Sequence, residues 1–442
     1  MSQLRRSVRS LLERSLASKD AVRSVRSSGA FVFLQVLGVG VAYVGNVVLA
    51  RLLGAAEFGL FTYVFNWRAF LTVPGLAGLG GGTLRFIPAY VGRESWTLLA
   101  GFVRFSRATV VVASLFTALA TASIVAWIWK PSEPIVHVFW WAAASLAFQV
   151  LILQSTNVLR ALNRVVASQL PQLVLQPFLQ IALFAAAVFV GAPRSASSAM
   201  VAVLIAGALV AVLVVALEGR SLPDAARAIA PSYEPKVWVR SMVPLLWIQG
   251  IAMAMDRADV LVLGTIAGPT QAGVYSAASR IASLVGFGTA AVSVWAAPGF
   301  SERHAREDKA GLQDLVRIAA RLIFFLTLPA TIGVWVLGPF LLGLFGSGFE
   351  SALHSLLILT FGQLVGALVG PAGFLLPMTG GELVAARMLA VCAGLNLVLN
   401  VALVPLLGME GAAIGTSVAR VVQAALLALA VWRRLEIRTT IV

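Results

Sequence analysis

The sequence predicts an all-α polytopic membrane protein, with about twelve transmembrane helices arranged as two six-helix lobes. Three observations predict it. Hydrophobic residues make up 60% of the 442 and charged residues 12%, with a mean hydropathy of +0.92, a composition foreign to soluble domains. Twelve stretches stay mostly apolar for the roughly 20 residues that a bilayer crossing needs. If the N-terminus is taken as inside, 26 of the 33 Lys and Arg residues fall in the inside segments and only Arg51, Lys130 and Arg194 in the outside ones. One missed span would invert every later connection and destroy that ratio.

Residues 1–27 form a basic segment. Leu4, Val8, Leu11, Leu12 and Leu16 share a helical face among Arg5, Arg6, Arg9, Arg14 and Lys19. A basic amphipathic helix on an anionic leaflet fits this pattern, and so does a disordered basic tail. Nothing here has the form of a cleavable signal, because the first long apolar stretch continues as a full span. The first span, 29–50, begins where this charge ends, and the second, 58–80, carries Arg68 near its middle and Pro74 as a candidate kink. A basic connection from Arg85 to Arg107 leads to spans three and four, 108–129 and 135–157. Span five, 168–191, holds Gln169, Gln172, Gln176 and Gln180 in one stripe, with Pro171 and Pro177 loosening the backbone beside it. Span six is 196–217.

The polar stretch from Glu218 to Arg240, with Pro223, Pro231 and Pro235, then divides the chain. It gives an N-lobe at 28–220, a linker at 221–240, a C-lobe at 241–434 and a tail at 435–442. Span seven, 241–266, contains Pro244, Asp256, Arg257 and Asp259, and span eight, 273–297, contains Arg280. Span nine, 322–345, has a candidate kink at Pro329. Span ten, 350–376, has the close-packing glycines Gly362, Gly366 and Gly370. Span eleven, 383–407, carries Asn396 and Asn400, and span twelve, 411–432, carries Arg420. Both termini are expected on the cytoplasmic side of the cytoplasmic membrane.

The two halves repeat. Asn46-Val-Val-Leu-Ala-Arg-Leu-Leu-Gly-Ala-Ala-Glu-Phe-Gly59 corresponds to Asp259-Val-Leu-Val-Leu-Gly-Thr-Ile-Ala-Gly-Pro-Thr-Gln-Ala-Gly273, with one extra residue in the second loop. An aliphatic, an aromatic and a hydroxyl residue follow each final glycine. Because six is even, both halves enter from the same side, and a central cavity is expected between parallel repeats.

Charged residues inside spans are costly in hydrocarbon and face a cavity or a partner. Arg68, Arg257, Arg280 and Arg420 give four positive charges against two negative ones, Asp256 and Asp259, so a cavity they line favours an anion. Arg68 and Arg280 are the leading substrate candidates, followed by Arg420 and Arg257. Gln172, Gln176, Gln180 and Asn46 are candidates to hydrogen-bond sugar hydroxyls, although helix-to-helix bonding also accounts for the amides. Asp256 and Asp259 are candidates either for ion coupling or for ion pairs with Arg257 or Arg280.

Several functions are disfavoured. The net charge of +15 is spread over short connections and not gathered on one domain, so nucleic acid is not an expected partner. There is no phosphate-binding G-x-x-x-x-G-K-[ST] loop and no H-E-x-x-H, and His137, His304 and His354 are far apart in sequence. Neither catalysis, a cofactor nor a metal is expected. The single Cys392 excludes an intrachain disulfide.

The chain resembles the polysaccharide transporters, or oligosaccharide flippases, of the multidrug/oligosaccharidyl-lipid/polysaccharide (MOP) exporter superfamily. Five stretches carry the resemblance: Ala50-Arg-Leu-Leu-Gly-Ala-Ala-Glu-Phe-Gly59, Gly273-Val-Tyr-Ser-Ala-Ala-Ser-Arg280, Pro298 before a charged segment, Leu344-Phe-Gly346 with Phe349, and Gly408-Met-Glu-Gly-Ala-Ala-Ile-Gly415. It extends over about residues 28–434. It implies a V-shaped pair of lobes that carries lipid-linked oligosaccharide, such as a polyprenyl-pyrophosphate glycan, to the outer leaflet for cell-surface polysaccharides such as O-antigen lipopolysaccharide. Arg68 and Arg280 would then meet the pyrophosphate or acidic sugars, and membrane lipids and other polysaccharide assembly proteins would be partners. Relatives often have fourteen spans. A cation-coupled multidrug antiporter of the same superfamily is the first alternative, and a membrane glycan polymerase or ligase the second.

Overall fold

In a bilayer a backbone must satisfy its own polar groups, and this chain does so with helices; among the described residues there is no strand. The computed structural model describes residues 19–440, with side chains from residue 34 onward. The basic face expected at residues 4–19 therefore lies outside the described side chains. In order, the helices are α1 (Lys19–Leu76), α2 (Leu79–Gly92), α3 (Trp96–Ile128), α4 (Pro134–Ala161), α5 (Val165–Leu170), a π-helical turn (Pro171–Leu175) and α6 (Gln176–Phe189). They continue with α7 (Ala196–Ser221), α8 (Asp224–Arg227), α9 (Pro235–Ile266), α10 (Pro269–Ala305) and α11 (Lys309–Gly343). After a 3-10 turn (Phe349–Ala352) come α12 (Leu353–Leu368), α13 (Ala372–Met378) and α14 (Glu382–Leu435).

Among the described residues ten segments are long and apolar enough to cross a membrane. Two of them are double. α14 has 54 residues, about 81 Å if straight, against a hydrocarbon core of about 30 Å. It is broken at Gly408 (φ 56°, ψ −128°), as α1 is broken at Gly54 (φ 75°, ψ 169°). The ten segments thus supply twelve membrane-length pieces.

Gly54 and Gly268 carry the repeat into the backbone. Each precedes its repeat glycine, Gly59 or Gly273, by five residues, and Gly268 adopts φ 94°, ψ 158°, close to the angles of Gly54. Only glycine occupies that region at low cost. Gly54→Ala or Gly268→Ala should each destabilise the protein by about 1–3 kcal/mol, measurable as a lowered Tm in detergent.

Connections at Gly54, Lys130, residues 190–195, Gly268, residues 344–348 and Gly408 gather at one end, here the far end; the arginine-rich connections gather at the other, the basic end. At the far end both halves share one apolar core, in which Phe58, Tyr63 and Met200 join Val260, Tyr275, Phe345 and Phe349. Toward the basic end the cores separate. One is built on Leu79, Phe86, Ile87, Tyr90 and Phe102 and takes in Trp238 and Met242 from the start of α9; the other is built on Phe300, Leu312, Val316, Leu375 and Val431. The bundles are therefore joined at the far end, and at the basic end they meet where α9 leans on α1 and α2.

The two repeat glycines are in contact. A Cβ on Gly59 would stand 2.5 Å from the carbonyl oxygen of Pro269 and 2.7 Å from Cα of Thr270, and one on Gly273 would collide with Cα of Gly59. Equivalent residues that touch lie on the axis relating their halves, as in an isologous interface.

Three elements depart from the sequence reading. α2 falls mostly in the stretch expected to be a basic connection from Arg85 to Arg107; it is a helix that buries Leu79, Thr83, Phe86, Ile87 and Tyr90. Span five, where the prolines were expected only to loosen the backbone, is interrupted by a π turn in which the Gln176 N–H donates to the Pro171 carbonyl. Span ten ends at Leu368, where Gly370 (φ 76°) and Pro371 start the separate α13. After α14, Glu436 turns the tail back: Lys309 Nζ binds its carboxylate at 2.8 Å and holds it below the usual carboxylate range. Gln313 donates to the carbonyl of Arg438 at 2.8 Å and accepts from its N–H at 2.9 Å.

Candidate functional site

The four intramembrane arginines form a belt. Arg257 lies nine residues from the far end of α9 at Ile266, Arg280 eleven from Pro269, Arg420 twelve from Gly408 and Arg68 fourteen from Gly54. At 1.5 Å per residue all four are about 13–21 Å from that end, near the middle of a hydrocarbon core.

Arg68 is 5% exposed and turned into the first bundle. Both its terminal nitrogens donate to Gln149 Oε1 at 3.4 Å, Nη1 also reaches Ser145 Oγ at 3.5 Å, and the guanidinium lies 4.8 Å from the centre of the Phe65 ring. Gln176 Nε2 donates to the same Gln149 oxygen at 2.7 Å. Gln172 and Gln180 are half-buried; Gln172 lies within the π turn, which shifts it around the axis relative to Gln176, and Gln180 follows Gln176 by one turn in α6. Asn46 is half-buried and donates back to the carbonyl of Ala42 in its own helix.

Arg257 crosses between the bundles. Its Nη1 donates to Asn66 Oδ1 at 2.8 Å, and Asn66 is fixed in turn by donating from Nδ2 to the carbonyl of Thr62 at 2.8 Å. Arg280 is half-buried on α10, which packs on α9, at nearly the same depth as Arg257. The Nε atoms of Arg68, Arg257 and Arg280 are all buried without a hydrogen-bond partner. Arg420 is exposed on the second arm of α14.

Asp259 is 5% exposed and held by three donors: Tyr275 Oη at 2.8 Å, the N–H of Val260 at 2.8 Å and Thr416 Oγ1 at 3.4 Å. Among the described residues no arginine of the belt comes within 4.0 Å of a carboxylate, so the Asp–Arg pairing weighed from the sequence is not formed. Residues 257 and 259 are about 200° apart around a helix, which aims Arg257 at α1 and Asp259 at α10 and α14. Asp256 is exposed. Asn396 and Asn400, fully buried on the first arm of α14, bond to one another, and Asn400 Oδ1 keeps no further partner.

Asn66 and Tyr275 escaped the sequence reading. A signal for Asn66 was present: it follows Gly59 by seven residues, as Arg280 follows Gly273. It takes the place in the first half that Arg280 takes in the second. Its contact with Arg257 also continues a ladder along one face of α1, four and then three residues apart, that begins at Gly59 and passes through Tyr63. The hydroxyl of Tyr63 meets Thr265 Oγ1 at 2.9 Å.

The profile of a family described as polysaccharide biosynthesis protein matches residues 48–354. A curated relative, the probable low-salt glycan biosynthesis flippase Agl15 of Haloferax volcanii, is 26% identical over 160 residues, which are 36% of this chain and 34% of that protein. The match thus spans about a third of that relative's length. Among solved structures, an inward-facing multidrug resistance MATE family transporter of the MOP superfamily has a TM-score of 0.70 at 17% identity, covering 92% of this chain and 94% of that one. The lipid II flippase MurJ, in an inward closed conformation, has a TM-score of 0.69 at 16% identity, covering 91% and 87%. A MOP superfamily transporter from Pyrococcus furiosus, described as having a binding pocket of reverse polarity, has a TM-score of 0.64 at 16% identity over 93% and 95%. At such identities these likenesses establish the fold, that of the MOP transporters.

Proposed function

This chain belongs to the polysaccharide biosynthesis protein family, and from that membership we propose that it is a flippase for lipid-linked oligosaccharide, of the polyprenyl-pyrophosphate kind. The observation that carries the reading is the arginine belt: four guanidiniums at one depth, three with a buried Nε that bonds to nothing, and no carboxylate in ion-pair contact. Such a surplus is costly in hydrocarbon unless an anion neutralises it for part of the cycle. Guanidinium forks match phosphate oxygens two at a time, which makes a diphosphate the natural occupant.

In this reading the basic end faces the cytoplasm, as the excess of Lys and Arg there favours, and the protein resides in the cytoplasmic membrane. With the far end closed, the substrate's diphosphate enters from the basic end toward Arg257 and Arg280. Arg68, held by Gln149 and Ser145, adds positive potential from within the first bundle, and Arg420 from the second. Gln172 and Gln180, with amides free to exchange hydrogen bonds, are the candidates for the sugar portion. Asp259 is the candidate for ion coupling, being buried where Asp256 is exposed. A cationic drug would meet a repulsive belt, which weighs against the antiporter.

Arg257→Ala and Arg280→Ala should each lower glycan export at least ten-fold in a complementation assay, with the variant proteins at normal abundance in the membrane. Each removes a charge-assisted contact to phosphate, for which about 1.5–3 kcal/mol is typical. Normal export by both variants would end the anion reading.

A further inference from the structure

Within the apolar core that joins the halves at the far end, three rungs along one face of α1 cross between the bundles. The first is the backbone contact of Gly59 with Gly273. The second is neutral: the Tyr63 hydroxyl meets Thr265 Oγ1 at 2.9 Å, and its ring packs against Gly264. The third is charge-assisted, from Arg257 Nη1 to Asn66 Oδ1 at 2.8 Å, and it is the deepest and the only one that reaches the arginine belt. Below it the contacts continue to the basic end, where a Cβ on Gly78 would stand 3.0 Å from the backbone nitrogen of Leu246. A rocking motion that parts the far ends and keeps α9 against α1 at the basic end must therefore break the Asn66 rung.

We infer that Asn66 is a positioning residue that latches the far end shut through Arg257, and that an oxyanion bound at Arg257 and Arg280 releases the latch. The inference rests on the anion-binding reading above. Three features support it. Asn66 offers a single neutral amide oxygen, a weaker acceptor for a guanidinium than a phosphate that can take two N–H bonds and carries charge. It is 1% exposed, and its own Nδ2 is committed to the Thr62 carbonyl, so it has no rotamer freedom with which to follow Arg257. Arg280, its repeat equivalent, lies at nearly the same depth on the neighbouring helix α10 with an unpartnered Nε, so an anion that bridges the two arginines draws Arg257 toward the second bundle and away from the first.

Linkage makes the effect reciprocal: an anion that releases the latch favours the far-open state, and loss of the latch favours that state without the anion. A neutral amide is suited to this task. Aspartate at position 66 would form an interbundle ion pair that an entering anion displaces far less readily.

The test uses the full-length protein in lipid nanodiscs, with Cys392→Ser as background and spin labels at Pro193→Cys and Ser347→Cys, exposed positions in far-end connections of the two bundles. Inorganic pyrophosphate is the probe, with its binding followed by calorimetry. In the parent, pyrophosphate should shift the label-to-label distances toward longer values. Asn66→Ala should show the longer distances without pyrophosphate, its closed-to-open ratio falling at least ten-fold, equivalent to about 1.4 kcal/mol. Asn66→Asp should stay short with pyrophosphate present. The latch is overturned if Asn66→Ala keeps the parent distances, or if Asn66→Asp opens as readily as the parent. Failure of pyrophosphate to bind the parent overturns the anion reading instead, and the ligand-free distances of Asn66→Ala then decide the latch.

Discussion

Gly273→Leu should reduce glycan export to background while the protein still inserts in the membrane. The glycine lies at the axis between the two repeats, where one backbone rests directly on the other. A Cβ there would meet the backbone nitrogen of Gly59 at 2.8 Å as well as its Cα. Neither neighbour is a side chain that can rotate away, and Gly59 is itself backed by Pro269 and Thr270. Inserting even a methylene or two into a packed site costs about 1–3 kcal/mol; leucine adds four carbons to a place where helix must touch helix. The far end can accommodate them only by parting, which removes the closed state from the cycle proposed above. Gly394→Ala is the control, because nothing lies within 4 Å of the position of its Cβ; it should export normally. Export by Gly273→Leu at the parental level would mean that the contact at the axis is dispensable.

Much of the fold was legible because the membrane imposes it. Each span needs about 20 apolar residues, and a miscount reverses the charge of every later connection. The repeat was legible through Gly59 and Gly273, each followed by an aliphatic, an aromatic and a hydroxyl residue, because the two backbones touch there and leave room only for glycine. α2 was not legible: Gly80, Gly81, Gly82 and Pro88 are the residues of a connection, and what makes the segment a helix is burial of Phe86, Ile87 and Tyr90 against α3 and the start of α9, which no local pattern records.

At the candidate site the arginines themselves stood out, because a charge in an apolar span needs a reason. Their partners did not. The sequence offered Asp256 and Asp259 as ion-pair partners for Arg257 or Arg280, but a helix sends residues 257 and 259 in opposite directions, and the acceptor of Arg257 is Asn66, 191 positions away. Likewise Arg68, which has no acid in its own span, is held by Gln149 from α4. Contacts between helices are set by which faces the packing brings together, and a single sequence gives the faces without the pairing.

Asp259→Ala is expected to be the most destabilising single substitution in the belt, lowering Tm by at least about 5 °C on a cost of roughly 3–5 kcal/mol for removing one member of a buried charged network. Glu218, the other carboxylate among the buried polar residues, is paired with Arg107 at 2.9 Å near the basic end and cannot compensate. Loss of the Asp259 carboxylate takes away the acceptor shared by the fully buried Tyr275 hydroxyl, the Val260 N–H and Thr416 Oγ1, and with it the acid at the depth of the arginine belt. Alanine does both; asparagine does only the second, since its amide oxygen still accepts from Tyr275. The pair of variants thereby separates two roles. If Asp259 only holds α9 to α10 and α14, Asp259→Asn should retain most of the stability and the export. If its charge serves ion coupling, Asp259→Asn should melt near the parent and yet fail to export. An Asp259→Ala protein that melts within about 1 °C of the parent would show that the carboxylate is not what ties these three helices together.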